Sequence, residues 1–335
     1  MEQDFSRLNF SGVPNFKRDD PKLGTILQQG LDGDVVIIGF PYDEGVQRNG
    51  GRPGTSKGPS CLRNYLPKIG PLVNPEYSID ISCLKISDSG DISGNSFNEA
   101  HDELKNKVKD LIDQKKIPII IGGGKDQSWS CGQGFLKSTI KGKPIIVNID
   151  SHLDVRPLDD EGRIHSGCAF RILLEDQTFI NQNGLFYQFG AQGSQCGLEH
   201  VNFVRNHGGE IVWMRDIRAS NNNPSFNTTY QPLTQAGRVF ESFLNRLQAD
   251  CKIIICLELD VIAARDCPGV SCPSVDGGLT SEEALELMLL CGKDSRVLAL
   301  DLAEYNPIVE EYLTGRLLSN MVYFFIMGYK LRTSS

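Results

Sequence analysis

The stretch Ile145-Ile146-Val147-Asn148-Ile149-Asp150-Ser151-His152-Leu153-Asp154 runs from an apolar segment directly into two carboxylates and an imidazole. A short run rich in β-branched residues reads as a buried strand. The polar group that follows would then stand at the strand's carboxyl end. Burying such side chains costs several kcal/mol unless they are paired, hydrogen-bonded or metal-bound. A carboxylate set that includes an imidazole suits manganese or zinc better than calcium, which prefers all-oxygen sites. A solvated loop with a chance histidine is the plainer alternative for this motif alone.

Working outward, five further runs have the same character: Val35–Phe40, Ile117–Ile121, Leu185–Phe189, Ile253–Leu259 and Val297–Leu302. Between them apolar residues recur at helical spacing, as in Leu104, Val108, Leu111 and Ile112, or Val239, Phe240, Phe243, Leu244 and Leu247, or Ala284, Leu285, Leu287 and Met288. Near-continuous apolar strands alternating with helices predict an α/β domain with a mostly parallel sheet covered on both faces. In such sheets the chemistry gathers at the carboxyl ends of the strands.

Three more strand ends carry unusual residues. Ile121-Gly122-Gly123-Gly124-Lys125-Asp126-Gln127-Ser128 matches neither a P-loop nor a dinucleotide fingerprint, and a plain glycine-rich turn is one reading of it. Glu258-Leu259-Asp260 closes the strand Ile253–Leu259. Residues two apart on a strand share a face, and like charges so placed call for a cation. A strand running out into solvent is the alternative, weakened by the presence of two acidic clusters in one chain. In Asp301-Leu302-Ala303-Glu304-Tyr305-Asn306-Pro307, Glu304 could bind a cationic substrate group or serve the fold.

Composition narrows the function classes. The chain has 335 residues, 40% hydrophobic and 23% charged, which excludes a disordered or collagenous protein. The longest apolar run, Met321–Met327, falls short of the roughly 20 residues that span a bilayer, so no membrane partner is expected. The first residues, Met1-Glu2-Gln3-Asp4, lack the pattern of a secretory signal, and a cytoplasmic location is expected. A net charge of −8 argues against nucleic acid. The ten cysteines read as reduced thiols. None forms a Cys-x-x-Cys pair, although Cys61, Cys83 and Cys196 near predicted loops leave surface disulfides open under oxidation. No linker or repeat divides the chain, so an extension over 1–30 and a single domain over 31–335 are expected.

These motifs resemble the ureohydrolase (arginase–agmatinase–formiminoglutamase) family of the arginase/deacetylase superfamily, from about residue 35 to 310. Gly39-Phe40-Pro41-Tyr42-Asp43-Glu44-Gly45-Val46, Asn49-Gly50-Gly51-Arg52-Pro53-Gly54 and Gly58-Pro59 resemble its N-terminal signature. Asp150-Ser151-His152-Leu153-Asp154 resembles its Asp-Ala-His-x-Asp motif. Glu258-Leu259-Asp260, with Pro268-Gly269-Val270-Ser271-Cys272-Pro273 and Gly277-Gly278, resembles its Asp-x-Asp segment. The Pro-Gly-Val-Ser wording, the triple glycine and Ser166-Gly167-Cys168-Ala169-Phe170-Arg171 lean towards the formiminoglutamase branch. The resemblance implies a three-layer α-β-α domain with an eight-stranded parallel sheet. It also implies a binuclear manganese site and a homotrimer or hexamer. The implied reaction is hydrolysis of a guanidino or formimino carbon–nitrogen bond by metal-bound hydroxide, with a small-molecule amidine as substrate.

Carried over one by one, the first metal would see Lys125, Asp150, Asp154 and Glu258, and the second Asp150, His152, Glu258 and Asp260. Asp154 and Glu304 are the expected catalytic residues. Two departures stand out. Lys125 occupies the position of a ligating histidine, and a protonated lysine has no lone pair to donate. Glu258 replaces an aspartate that bridges the metals. Two unit charges about 4 Å apart interact by about 4 kcal/mol at an effective dielectric of 20, and a lysine facing a divalent ion feels twice that. Either Lys125 acts as a counter-ion in place of the first metal, or it turns outward and Asp126 approaches instead. The family's proton-shuttling histidine is absent after Ser166-Gly167, and His165 is the nearest imidazole. Arg171 could grip a substrate carboxylate with Glu304 on the cationic group, or form a salt bridge within the fold. A weakened hydrolase holding one or two manganese ions is thus expected, with a catalytically silent relative that holds none as the alternative. The loops 155–171 and 191–230 match no readable specificity pattern.

Overall fold

A computed structural model describes residues 19–219, 234–274 and 277–332. Eleven strands occur among them. They are β1 (Leu27–Gln29), β2 (Val35–Phe40), β3 (Val73–Asn74), β4 (Ile79–Asp80), β5 (Ile86–Asp91), β6 (Ile117–Gly122), β7 (Pro144–Ile149), β8 (Leu185–Ala191), β9 (Glu210–Trp213), β10 (Lys252–Glu258) and β11 (Val297–Ala303). Nine form one sheet in the order β1-β5-β2-β6-β11-β10-β7-β8-β9, while β3 and β4 make a small separate hairpin. Every pairing in the large sheet is parallel.

The six apolar runs become β2, β6, β7, β8, β10 and β11. Their continuity follows from burial on both faces. Val35 and Ile37 join one core while Val36 and Ile38 join the other, and Ile145, Val147 and Ile149 are divided in the same way from Ile146. The helices Phe97–Asp113 and Gln127–Lys137 cover one face. Gln235–Arg246, Ser281–Lys293 and Tyr312–Arg332 cover the other. The three-layer α/β expectation is met, but the sheet has nine strands rather than eight.

The additional strands lie where hydrophobic patterning is weak. β5 reads Ile86-Ser87-Asp88-Ser89-Gly90-Asp91, and its polar groups find partners far away in sequence. Arg63 donates to both oxygens of Asp88 at 2.7 and 3.0 Å, and Gly33 N donates to Ser87 Oγ at 3.0 Å. β1 pairs with β5 at the sheet edge, so residues 27–29, assigned above to an extension, belong to the sheet. Leu259 leaves the strand and begins a 3-10 turn, Leu259–Val261. Glu258 and Asp260 therefore do not share a strand face as the spacing suggested. Cys61, expected near a loop, is buried in the helix Gly58–Tyr65. No helix among the described residues is long and apolar enough to cross a membrane.

Candidate metal centre

The carboxyl ends of β6, β11, β10 and β7 lie side by side in the sheet. The loops leaving them carry every acidic motif singled out above, so parallel strand order alone brings these segments together. After β6 the chain turns tightly at Gly123, whose φ is +36°. A Cβ there would lie 2.4 Å from Phe40 O, which accounts for glycine and lets the turn fold back over the sheet.

One ligand atom each from Asp150, His152, Glu258 and Asp260 falls within a span of 4.8 Å, an arrangement that could hold a metal ion. Asp150 is anchored from several sides. Its Oδ1 accepts from His152 N at 2.7 Å, and its Oδ2 accepts from Asn148 Nδ2 at 3.3 Å. Gln188 Nε2 donates to the carbonyls of Asp150 and His152, both at 2.8 Å, fixing the turn. Ser151 Oγ donates to Asp260 Oδ1 at 2.9 Å, and His152 Nδ1 lies 2.9 Å from Asp260 Oδ2. Asp154 and Glu304 complete the acidic ring. Both hold left-handed backbone, with φ of +47° and +72°, a conformation that costs a non-glycine residue free energy.

Lys125 points inward. Its Nζ is 3.4 Å from Asp150 Oδ2, it is 1% exposed, and its backbone N–H donates to Glu304 Oε1 at 3.0 Å. Asp126 turns away and faces His101. Of the two arrangements open in the sequence, the structure holds the one with Lys125 against the carboxylates.

The electrostatics follow from burial and crowding. Burial pushes the Lys125 ammonium down, but Asp150, Glu258 and Asp154 together outweigh it and hold the pKa above its usual range. Burial and then the Asp150 charge push Asp154 and Glu258 well up. Asp150 is held low despite its burial, by Lys125 and His152. Burial raises Glu304 to about 8. Asp260 Oδ2, within the four-ligand set, and Asp154 Oδ2 beside it have no hydrogen-bond donor among the described residues. A buried, crowded carboxylate set with an unserved oxygen fits a divalent ion on the Asp150, His152, Glu258 and Asp260 side. On the other side the Lys125 ammonium already supplies a positive charge.

A cavity of about 200 Å³ opens over the centre, and His152, Asp154, Glu258 and Glu304 line its acidic part. Exposed Arg156 and half-buried His200 also line it. Sequence reasoning missed both, because 155–171 and 191–230 matched no readable pattern and His200, expected in a loop, lies in the helix Leu198–Asn206; proximity of Arg156 to Asp154 was the one signal present. Arg171 does not line this cavity. Its Nε donates to the carbonyls of Val155 and Arg156, both at 3.0 Å, its Nη1 is 3.6 Å from Glu175, and its guanidinium lies 4.0 Å over Phe203. It takes the within-fold role named as the alternative above. His165 is likewise structural, with Nδ1 accepting from Gly167 N at 3.1 Å.

The arginase family model matches residues 33–328. The chain belongs to the arginase family. Among its arginase-family relatives is a formimidoylglutamase of Klebsiella pneumoniae, 28% identical over 84% of this chain and 81% of that protein. A Trypanosoma cruzi formiminoglutamase crystallised with Mn2+ is 39% identical, with a TM-score of 0.84 over 94% of this chain and all of that one. A Bacillus subtilis formimidoylglutamase, 21% identical with a TM-score of 0.82, shares the fold over 96% of this chain and 95% of that one. The arginase-family protein is thus a formiminoglutamase-like ureohydrolase.

Proposed function

We propose that this protein hydrolyses the formimino carbon–nitrogen bond of a carboxylate-bearing amidine, with manganese held by Asp150, His152, Glu258 and Asp260. The observation that carries this reading is the convergence of those four ligand atoms within 4.8 Å, with His152 and Glu258 lining the cavity. Manganese, when bound, supplies Lewis acidity and lowers the pKa of water at the site. Asp154 and Glu304 hold the cationic amidinium. Arg156 and His200 receive the carboxylates of the tail, the role first expected of Arg171. When Asp150, Asp154, Glu258 and Asp260 are all ionised, Lys125 and one divalent ion leave a single negative charge, which an amidinium neutralises. The names of the relatives point to formiminoglutamate as the substrate. The family's trimeric or hexameric assembly and a cytoplasmic location belong to the same reading.

One observation favours a second reading, a silent relative. Lys125 Nζ stands 3.4 Å from Asp150, at the position to which the sequence resemblance assigns a ligating histidine, and it has no lone pair while protonated. Manganese analysis and turnover decide between them. Near-stoichiometric manganese with formamide release from formiminoglutamate supports the hydrolase. Less than one manganese per chain, with no turnover of formiminoglutamate, arginine or agmatine, supports the silent relative. Within the hydrolase reading, Arg156→Ala raises KM for formiminoglutamate about tenfold or more while kcat changes less. An unchanged KM would remove Arg156 from substrate binding.

A further inference from the structure

Lys125 and Asp126 are consecutive, yet they reach different partners. Asp126 Oδ2 lies 3.0 Å from His101 Nε2, and His101 Nδ1 lies 2.6 Å from Ser130 Oγ. All three residues are buried. The imidazole is caged by Phe97 at 4.2 Å, Phe40 at 5.0 Å and Trp129 at 5.1 Å between ring centroids. Asp126 Oδ1 has no hydrogen-bond partner among the described residues. It occupies the space that a Cβ at Gly45 or Gly124 would need, 2.1 or 2.4 Å from where such an atom would lie. Asp126 also stands at the N-cap of the helix Gln127–Lys137, where aspartate usually accepts a backbone N–H, and makes no such bond. This carboxylate forgoes its helix and depends on a single side-chain partner.

We infer that His101 is a positioning residue for the metal centre: by holding Asp126 it determines which of two neighbouring side chains, Lys125 or Asp126, faces Asp150. A buried carboxylate without its partner is costly and must find another. A divalent ion at the neighbouring centre would supply one, since a carboxylate can ligate it and an ammonium cannot. Releasing Asp126 from His101 exchanges the two side chains at the centre and strengthens metal binding. The inference rests on Asp150, His152, Glu258 and Asp260 being the ligand set.

The test is manganese affinity of the full chain, measured by calorimetry. His101→Leu tightens manganese binding about tenfold or more, a size typical of residues that hold ligands in place. In a chain that also carries Asp126→Ala, the same change moves affinity by less than about twofold, because no carboxylate is left to release. His101→Gln, whose amide can still donate to Asp126, restores the parental affinity. Where His101→Leu does not fold, the smaller His101→Ala, which also has no donor, is read in the same way. Unchanged affinity in a folded variant, or equal shifts with and without Asp126, overturns the inference. If the parental protein binds no manganese, the functional reading fails. Binding that appears in His101→Leu then still supports the positioning role, and its absence overturns that role.

Discussion

Lys125 and Lys252 are both buried lysines with opposite surroundings. Lys125 faces carboxylates and keeps its proton. Replacing it with histidine, a neutral ligand, is expected to raise the manganese count per chain in metal analysis of purified protein, and an unchanged count would show that the ammonium does not block a site. Lys252 has only weak compensation, from Asp113. Burial, with Lys141 nearby, lowers its pKa from 10.5 to about 8. Its Nζ reaches one carbonyl, Phe135 O at 3.4 Å, and sits 5.1 Å from the Phe135 ring. The folded state therefore disfavours the charged form. The cost is fully present below pH 8 and fades as pH rises through 10.5, where the unfolded chain also loses its proton. Lys252→Met is expected to stabilise the protein at pH 7 by on the order of 2 kcal/mol. Denaturant titrations should show that advantage shrinking between pH 8 and 10.5; a constant difference would remove the charge as its cause. At this scale the acidic residues were legible because they sit in tight motifs next to strand ends. Arg171 was named and Arg156 was not, because residue order does not say which arginine turns to the cavity; Arg171, in the helix Ala169–Leu174, turns back to the carbonyls of Val155 and Arg156.

The helices Ser281–Lys293 and Tyr312–Arg332 approach each other at Gly292 and Gly328. A Cβ on Gly292 would lie 2.1 Å from Phe325 O, and one on Gly328 would lie 2.2 Å from Leu289 O. Both clashes are with backbone, which cannot turn aside as a side chain does. Gly292→Leu is expected to destabilise by about 2 kcal/mol or more, read from the urea midpoint. A midpoint within error of the parent would mean that the helices can part freely. Elements were legible in proportion to their apolar continuity. β5 was hidden because Asp88 is satisfied by Arg63, a pairing that only the folded chain reveals. The helix Tyr312–Arg332 was hidden because Leu317, Leu318, Met321, Val322, Phe325 and Ile326 are all buried, so no polar stripe marks its period.

Across the whole molecule, the ligand set joins the turn after β7 to the end of β10 and the 3-10 turn that follows it, and the segments carrying Lys125 and Glu304 flank it from β6 and β11. A metal bound there holds distant segments together and favours the folded chain by mass action. A hundredfold excess over Kd is expected to add about 2.7 kcal/mol, seen as a higher Tm that a chelator reverses. Asp260→Asn should remove most of that gain, and a gain that survives would place the ion elsewhere. The parallel topology was legible from the strands and the centre from their ends, while the count of edge strands was not. Asp154 and Glu304, both in left-handed backbone, carry one more consequence. Glycine at either position would relax the chain at the cost of an acid in the cavity. A laboratory selection that rewards heat tolerance alone should therefore drift toward sturdy, inert proteins, with these two positions among the first to change.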